Sequence, residues 1–388
     1  MNFDFTDEQR MLQETVRRYV NEKIMPIADE YDRKGPMTKE DAQRFLKDLK
    51  DFGYVGTLVP EEYGGPGLTH MEWPILFEEL RRGYASLGGV VGMTSACASI
   101  LVDSRNEELK RRVLPGVLNG DTIMCSAITE PNAGSDMAGI ETKAVLDGDH
   151  YVINGTKMWI SNGTIADYAI VTLKTVDPSI GEQGMGHILV EKAESPFIAR
   201  EIRKLGVKSF PTAELIFEDC RVPRENLLQP KGDNPSGAIG GGLNFARANA
   251  SIAAVGIAQA ALDAAIRYAK ERTQFGKPIG QFQLIQAMIS DMIADIDAGR
   301  LLTYRAFFLL GKGVRCYKEC SLAKAFTTEA AVRVTSKAIQ IHGAYGLSEE
   351  YPVERYFRDA RCYTIPDGTT QIQQLIVGRE TLGMKAFA

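Results

Sequence analysis

Three short stretches combine side chains able to move protons or hold a reactive ring. The first is "CYTIPDGTTQIQQLIVGRE", residues 362–380, where Asp367 stands between Pro366 and Gly368 just ahead of an apolar-periodic helix. A carboxylate there reads either as a proton acceptor set into a loop or as a helix cap, a position that favours aspartate. The second is "AITEPNAGSD", residues 127–136, which runs from a strand into a tight turn holding Thr129, Glu130, Pro131, Asn132, Ala133, Gly134 and Ser135. Small residues expose backbone N–H groups and hydroxyls add donors, which suits an anionic or carbonyl-rich ligand. The same composition also ends ordinary strands. The third is "KMWISNG", residues 157–163, with Trp159 and Ser161 two apart and so on one face of a strand. A flat ring beside a hydroxyl can stack on a heterocycle and hydrogen-bond its edge. A core tryptophan next to a serine has the same spacing.

Other chemistries find no support. No G-x-G-x-x-G follows a strand, no G-x-x-x-x-G-K-[ST] is present, and the glycines of "GAIGGG" have the wrong spacing for a phosphate loop. The four histidines, His70, His150, His187 and His342, do not cluster. Cys316 and Cys320 share a helix face but lack a nearby histidine partner, so no metal site is expected. The six scattered cysteines read as reduced thiols of a cytoplasmic protein. A net charge of −5, from 45 basic and 50 acidic residues, gives no general attraction to nucleic acid or to an anionic membrane. The acidic start "MNFDFTDEQRML" lacks the basic and apolar regions of a signal peptide, and no apolar run is expected to reach membrane-spanning length.

The elements that must position these stretches fall into three blocks. Residues 5–33 read as one amphipathic helix with Phe5, Met11, Leu12, Val16, Tyr19, Val20 and Ile24 near one stripe, and Thr6 with Gln9 as a capping box. Further helices are expected at about 39–52, 71–86, 90–104 and 107–118, with "VPEEYGGPGLTH" as a connector. From residue 121 the chain turns to short β-branched and aromatic runs, separated by turn signals such as Asp147-Gly148 and Asn154-Gly155. "PKGDNPSGAIGGG" reads as a loop. From about Gly241 long helices return, one of some thirty residues, then 281–311, 316–341, 352–361 and 370–382. The expected organisation is therefore α (1–120), β (121–230) and α bundle (231–388).

These motifs, in this order and register, resemble the acyl-CoA dehydrogenase family over essentially the whole chain. "VPEEYGGPGL", "TEPNAGSD", "INGTKMWISNG", "ERTQFGKPI", "QIHGAYGL" and "DGTTQIQQLIVGRE" carry the resemblance. It implies an α+β multidomain fold: an N-terminal α-helical domain, a middle β domain and a C-terminal four-helix bundle, assembled as a homotetramer. It also implies FAD bound without a Rossmann motif, an acyl-CoA substrate, and an electron-transfer flavoprotein as acceptor. Neither nucleic acid nor membrane is an expected partner.

By position, the resemblance places Trp159 against the flavin, Ser161 at flavin N5 with Ile160 beside it, and Ser126, Ala127, Ile128 and Thr129 along the pyrimidine side. Gly134 and Ser135 fall near the pyrophosphate, and Ser135 also near the CoA chain. Arg272, Phe275 and Gln283, with Gln340, Ile341, Gly343 and Ala344, are implied to reach a neighbouring subunit's FAD, and Thr369 and Gln371 to hold FAD beside the catalytic loop. Asn244, Arg247 and Gly368 fall at the substrate, Asn244 replacing a frequent aspartate.

The implied base is Asp367, where the family usually carries glutamate; the alternative base position is Ala246, which accepts no proton. Aspartate is one methylene shorter, and a misplacement near 1 Å costs about a hundredfold in rate. A bulky α-carbon would accommodate that, which points to an alicyclic acyl-CoA such as cyclohexanecarboxyl-CoA. Short or branched acyl chains are the alternative. A dicarboxylyl group is disfavoured, because Ala85 in "GYASLGG" stands where relatives acting on glutaryl-CoA carry arginine. An acyl-CoA oxidase and a non-enzymatic flavoprotein relative are the other readings.

Overall fold

The computed structural model describes residues 4–177, 181–229 and 235–384. Helix α1 (Asp7–Tyr19) opens on the expected capping box, with Gln9 N donating to Thr6 Oγ1 and Thr6 N to Gln9 Oε1, both at 3.2 Å. The path over 5–33 is not one α-helix. A π-turn over Val20–Ile24 and a 3-10 turn over Met25–Ile27 precede α2 (Ala28–Lys34). Pro26 has no N–H to give and its ring conflicts with an unbroken ladder. Val16, Val20 and Ile24 are buried as the stripe requires, whereas Met11 lies off the stripe and is exposed.

Next come α3 (Lys39–Leu49), α4 (Glu72–Gly83), α5 (Ala85–Val102) and α6 (Glu107–Leu118). The expectation that no apolar run reaches membrane length is corrected. By length and composition two helices qualify, α5 and residues 242–271, but 78% and 72% of those windows are buried inside the protein. Neighbouring elements cover both apolar surfaces, which is why these helices are hydrophobic all round.

The β domain contains β1 (Met124–Ala127), β2 (Lys143–Asp147), β3 (His150–Ser161), β4 (Tyr168–Asp177), β5 (Gly181–Glu191), β6 (Ile198–Glu201) and β7 (Thr212–Pro223). The sheet order is β1-β4-β2-β3-β7-β6, with β5 also paired to β4. One edge of β4 is shared: β1 pairs parallel with Tyr168–Val171 and β2 pairs parallel with Lys174–Val176. The chain from Ala127 to Lys143 must therefore leave the sheet and return almost to the same place. That detour carries the second sequence motif.

The β2–β3 hairpin turns at Gly148, with φ +64°, as expected. Asn154-Gly155, expected to separate strands, instead lies inside β3 as a bulge. Gly155 has φ +148°, and a Cβ there would sit 2.4 Å from Thr142 Oγ1.

The C-terminal part contains α7 (Pro235–Glu271), a small hairpin of β8 (Thr273–Gln274) and β9 (Lys277–Pro278), then α8 (Gln283–Gly311), α9 (Tyr317–His342), α10 (Val353–Tyr363) and α11 (Thr370–Leu382). Of the expected loop 230–242, residues 230–234 lie outside the described residues and the rest is helical. Pro235 stands at the first helical position, where a missing N–H costs nothing. Helix α9 packs against α7, α8, α10 and α11. One hydrophobic core runs through the N- and C-terminal helices together, and a second fills the β domain.

Helices α4 and α7 pack backbone against backbone at Gly256, where a Cβ would lie 2.6 Å from Glu78 O and 2.9 Å from Arg82 N. Gly256→Ala is therefore expected to destabilise. Alanine gains about 1 kcal/mol in helix propensity, but separating two backbones costs roughly 1–3 kcal/mol or more. Urea unfolding of the variant measures the balance.

Candidate active site

The loop after β1 is built on a buried ion pair. Glu130 is bonded by its neighbours on three sides: Lys157 Nζ donates to its carboxylate at 2.7 Å, Glu141 N at 2.7 Å and Thr142 N at 3.0 Å. Burial raises the Glu130 pKa, but the hydrogen bonds from Lys157, Thr142 and Glu141 outweigh it and leave the carboxyl below its usual value. Lys157 is fully buried and also donates to Ile128 O at 2.8 Å. Burial holds its ammonium below the ordinary lysine value despite Glu130. The pair thus closes the neck of the loop by geometry more than by a Coulombic surplus. Above the neck, Glu130 and Ala133 exchange backbone hydrogen bonds in a tight turn, and Pro131, Asn132, Gly134 and Ser135 are exposed. Ala127 is fully buried, so only its backbone is available to a ligand, while Ser126, Ile128 and Thr129 are half-buried.

Trp159 is presented by a second bulge in β3. The pairing slips between Lys157 and Ile160, and Trp159 takes φ +63°. Met158 N donates to Thr129 O at 2.8 Å, so the bulge is fastened to the β1 loop. Ile160 points into the core; Trp159, 56% exposed, and half-buried Ser161 lie on the opposite face. The core-tryptophan reading is thereby removed. Asn162 anchors the strand end, donating from Nδ2 to Val90 O at 3.0 Å and Met124 O at 3.2 Å, which ties α5, β1 and β3 together. An open aromatic ring on a bulge tied to Thr129, followed by the Ser161 hydroxyl and next to a loop with exposed donors, fits the ring of a flavin.

Asp367 lies in the reversal between α10 and α11. It is not the helix cap: Thr369 caps α11, its Oγ1 accepting from Ile372 N at 3.4 Å. Asp367 and Gly368 both have positive φ, +57° and +93°. Gln373 Nε2 donates to Asp367 O at 2.8 Å and Gly368 O at 2.9 Å, and Lys324 Nζ to Gly368 O at 2.8 Å and Thr364 O at 2.9 Å. The residue keeps an opening to solvent while its carboxyl is enclosed. Enclosure pushes the carboxyl pKa up, against the pull of Lys324, Arg247 and Arg81.

Arg247 and Asn244 are buried on α7, with Arg247 Nη1 donating to Asn244 Oδ1 at 2.8 Å. Half-buried Ala246 is the alternative base position. Arg81, 4% exposed, donates from Nη1 to Ala85 O at 3.0 Å and to the Tyr363 hydroxyl, while its Nε has no partner. Gly88 makes room for it, since a Cβ there would meet Arg81 Cδ at 2.4 Å.

The remaining expected residues form a different surface. Arg272, Gln283, Gln340, Gly343 and Ala344 are exposed, and Phe275 is 92% exposed at φ +51°. The Arg272 guanidinium lies 5.8 Å from the Tyr345 ring centre, joining the 272 and 340s stretches. Ile341 is buried in the core, leaving only its backbone for contact. Gln371 is exposed and Thr369 half-buried at the start of α11. Sequence reading missed Arg81, Lys324 and Gln373. Arg81 and Lys324 sit in helices whose pattern reads as core, and Gln373 lies within the 362–380 stretch with nothing to set it apart from Gln371 and Gln374.

Comparison with known proteins agrees with this architecture. Family models match along the chain: acyl-CoA dehydrogenase N-terminal domain over 6–121, middle domain over 125–220 and C-terminal domain over 237–382. A glutaryl-CoA dehydrogenase of Desulfococcus multivorans is 38% identical over 390 residues, covering 99% of each chain. The glutaryl-coenzyme A dehydrogenase–glutaryl-CoA complex superposes with a TM-score of 0.92 at 37% identity, covering 99% of this chain and 97% of that one. A structure described as electron transferring flavoprotein of Acidaminococcus fermentans, on flavin-based electron bifurcation, gives a TM-score of 0.92 at 35% identity, covering 98% and 100%.

Proposed function

The chain belongs to the acyl-CoA dehydrogenase family, FAD-dependent oxidoreductases acting on CH–CH bonds, and we propose that its substrate is an alicyclic acyl-CoA such as cyclohexanecarboxyl-CoA, oxidised to the 1-ene. The observation behind this reading is a short carboxylate in a clamped loop. Asp367 reaches one methylene less far than glutamate, and the bonds from Lys324 and Gln373 hold its backbone in place. The loop cannot advance to make up the distance. The α-carbon must come to the carboxylate, and a ring carbon held broadside is the geometry that favours it.

In this reading Asp367 Oδ removes the α-proton. Its backbone N–H donates to the thioester oxygen, where negative charge develops; such a donor contributes about 3–4 kcal/mol. FAD, when bound, supplies the acceptor for the β-hydrogen as hydride at N5. Trp159 packs on the ring, and Thr129 and Ser161 supply hydroxyl donors to its edge. Asn244 and Arg247 line the substrate side. Substrate entry expels the remaining water and raises the Asp367 pKa further toward the working range.

The exposed surface that joins Arg272 to the 340s stretch begins about 37 Å along α7 from Arg247 on the substrate side, which is in keeping with a homotetramer in which Arg272, Phe275, Gln283, Gln340 and Ala344 reach the FAD of another subunit. An electron-transfer flavoprotein is the proposed acceptor, in line with the likeness to the A. fermentans structure, and the cytoplasm the proposed location.

A second reading has one observation in its favour. Arg81 brings a guanidinium with an unpartnered Nε to the carbonyl of Ala85, where the sequence lacks the arginine of relatives acting on glutaryl-CoA. A carboxylate on the acyl group would answer it. Anaerobic flavin bleaching with cyclohexanecarboxyl-, butyryl-, isovaleryl-, octanoyl- and glutaryl-CoA decides. The ring ester is expected to be fastest, and Asp367→Glu to slow it by about a hundredfold while slowing butyryl-CoA less. A much faster reaction with butyryl- or octanoyl-CoA ends the ring reading, and one with glutaryl-CoA installs the second.

A further inference from the structure

The loop that carries Asp367 is braced by a side chain that takes no part in the proton or hydride transfer itself. Lys324 lies in α9 and is fully buried. Its Nζ bonds the carbonyls of Thr364 and Gly368, one on each side of Asp367. Thr364 follows α10, so its carbonyl is among those left without a helical partner. Over Thr364–Gly368 the chain reverses, with consecutive left-handed positions at Asp367 and Gly368. Glycine takes the second of these positions freely, and aspartate is among the side chains that tolerate the first best. Gln373 secures the same reversal from α11, sharing the Gly368 carbonyl with Lys324.

We propose that Lys324 is the positioning residue of the base: it fixes the reversal on which Asp367 is mounted and supplies a buried cation that keeps its carboxylate charged in a closed site. The proposal rests on Asp367 being the base. Three cations face that carboxyl, Lys324 from α9, Arg247 from α7 and Arg81 from α4, and Lys324 exerts the strongest pull. Facing Lys324 are Asp367, Glu329 and Arg247. Burial lowers the Lys324 pKa to about 8, against the opposing pull of Asp367 and Glu329. Below that value the ammonium both braces and polarises. Above it the neutral amine still has two N–H groups for two carbonyls, so the brace outlasts the charge.

The test uses the FAD-loaded enzyme and its Lys324→Gln and Lys324→Arg variants. The rate of anaerobic bleaching by the best CoA ester is followed from acid to alkaline pH. In K324Q the acid limb is expected to move up by about one pH unit, a tenfold change in proton affinity, and the plateau to fall. In K324R the limb stays near that of the wild type while the plateau falls, because a planar fork does not match the two carbonyls. A K324Q limb that does not move, or a K324R limb that does, overturns the proposal.

A second readout needs no turnover. The carboxyl's folded pKa is raised, so its ionisation costs stability only as pH climbs above the unfolded value and through the folded one. At a pH above the folded value, the stability gained by Asp367→Asn should therefore be larger when K324Q is added, because the same ionisation then costs more. If no CoA ester bleaches the wild type, the dehydrogenation reading fails, yet this unfolding comparison still decides on Lys324. A gain from Asp367→Asn that K324Q leaves unchanged refutes the role.

Discussion

Asp367→Asn is expected to keep its yellow FAD and to lose bleaching by acyl-CoA by about 10²–10⁴-fold. Asparagine has nearly the same volume and leaves the backbone bonds from Gln373 and Lys324 untouched, so the loop should stand. What disappears is, among the described residues, the one untied carboxylate facing Arg247, Arg81 and Lys324. Its neighbours are committed elsewhere. Glu329 accepts from Thr370 Oγ1 at 2.6 Å. Burial pushes the Asp359 pKa up to about 6, but its carboxylate accepts from Val207 N across the junction with the β domain. Normal bleaching in the Asn variant would move the base elsewhere. In the wild type the acid limb of the same rate should lie above the usual aspartate range, because burial raises the Asp367 pKa and the reaction needs the ionised form.

Lys157→Met should be the most damaging single change in the β domain. It strands the Glu130 carboxylate in the interior with only the amides of Glu141 and Thr142 as partners. Removing one member of a buried pair costs roughly 3–5 kcal/mol, which urea unfolding would register. Replacing both members, Lys157→Met with Glu130→Met, should recover much of that loss, since no charge is left buried. FAD retention should not recover with it, because the loop that holds Thr129 and Ser135 then has no closed neck. A double variant that holds FAD normally would show that the pair is not what shapes the loop. The pH dependence has a definite sign. The Glu130 pKa is lowered on folding, so its contribution is complete above the unfolded value and is lost as pH falls through the folded one.

The sequence by itself determined the α–β–α order, the bounds of several helices and the three stretches that matter, because each is a local signal. Helical periodicity at 107–118, 281–311 and 370–382 survives to within two residues in α6, α8 and α11. The Thr6–Gln9 box is a contact between near neighbours and needs nothing else. The aspartate between Pro366 and Gly368 and the spacing of Trp159 and Ser161 drew attention for the same reason.

Only tertiary structure decided what those residues do. Whether Asp367 caps a helix or stands free depended on Thr369 taking the cap and on Gln373 bending the loop, choices settled by packing against α9. Trp159 turned outward at a bulge where Met158 N found Thr129 O, a bond from β3 to the loop after β1. Lys324 and Arg81 look like incidental charges on core helices until α9 and α4 deliver them to one carboxylate. Backbone propensities act over a few residues. Electrostatic fields and hydrogen bonds between distant segments act over a few ångströms, and only the folded chain brings 81, 247, 324 and 367 within that range.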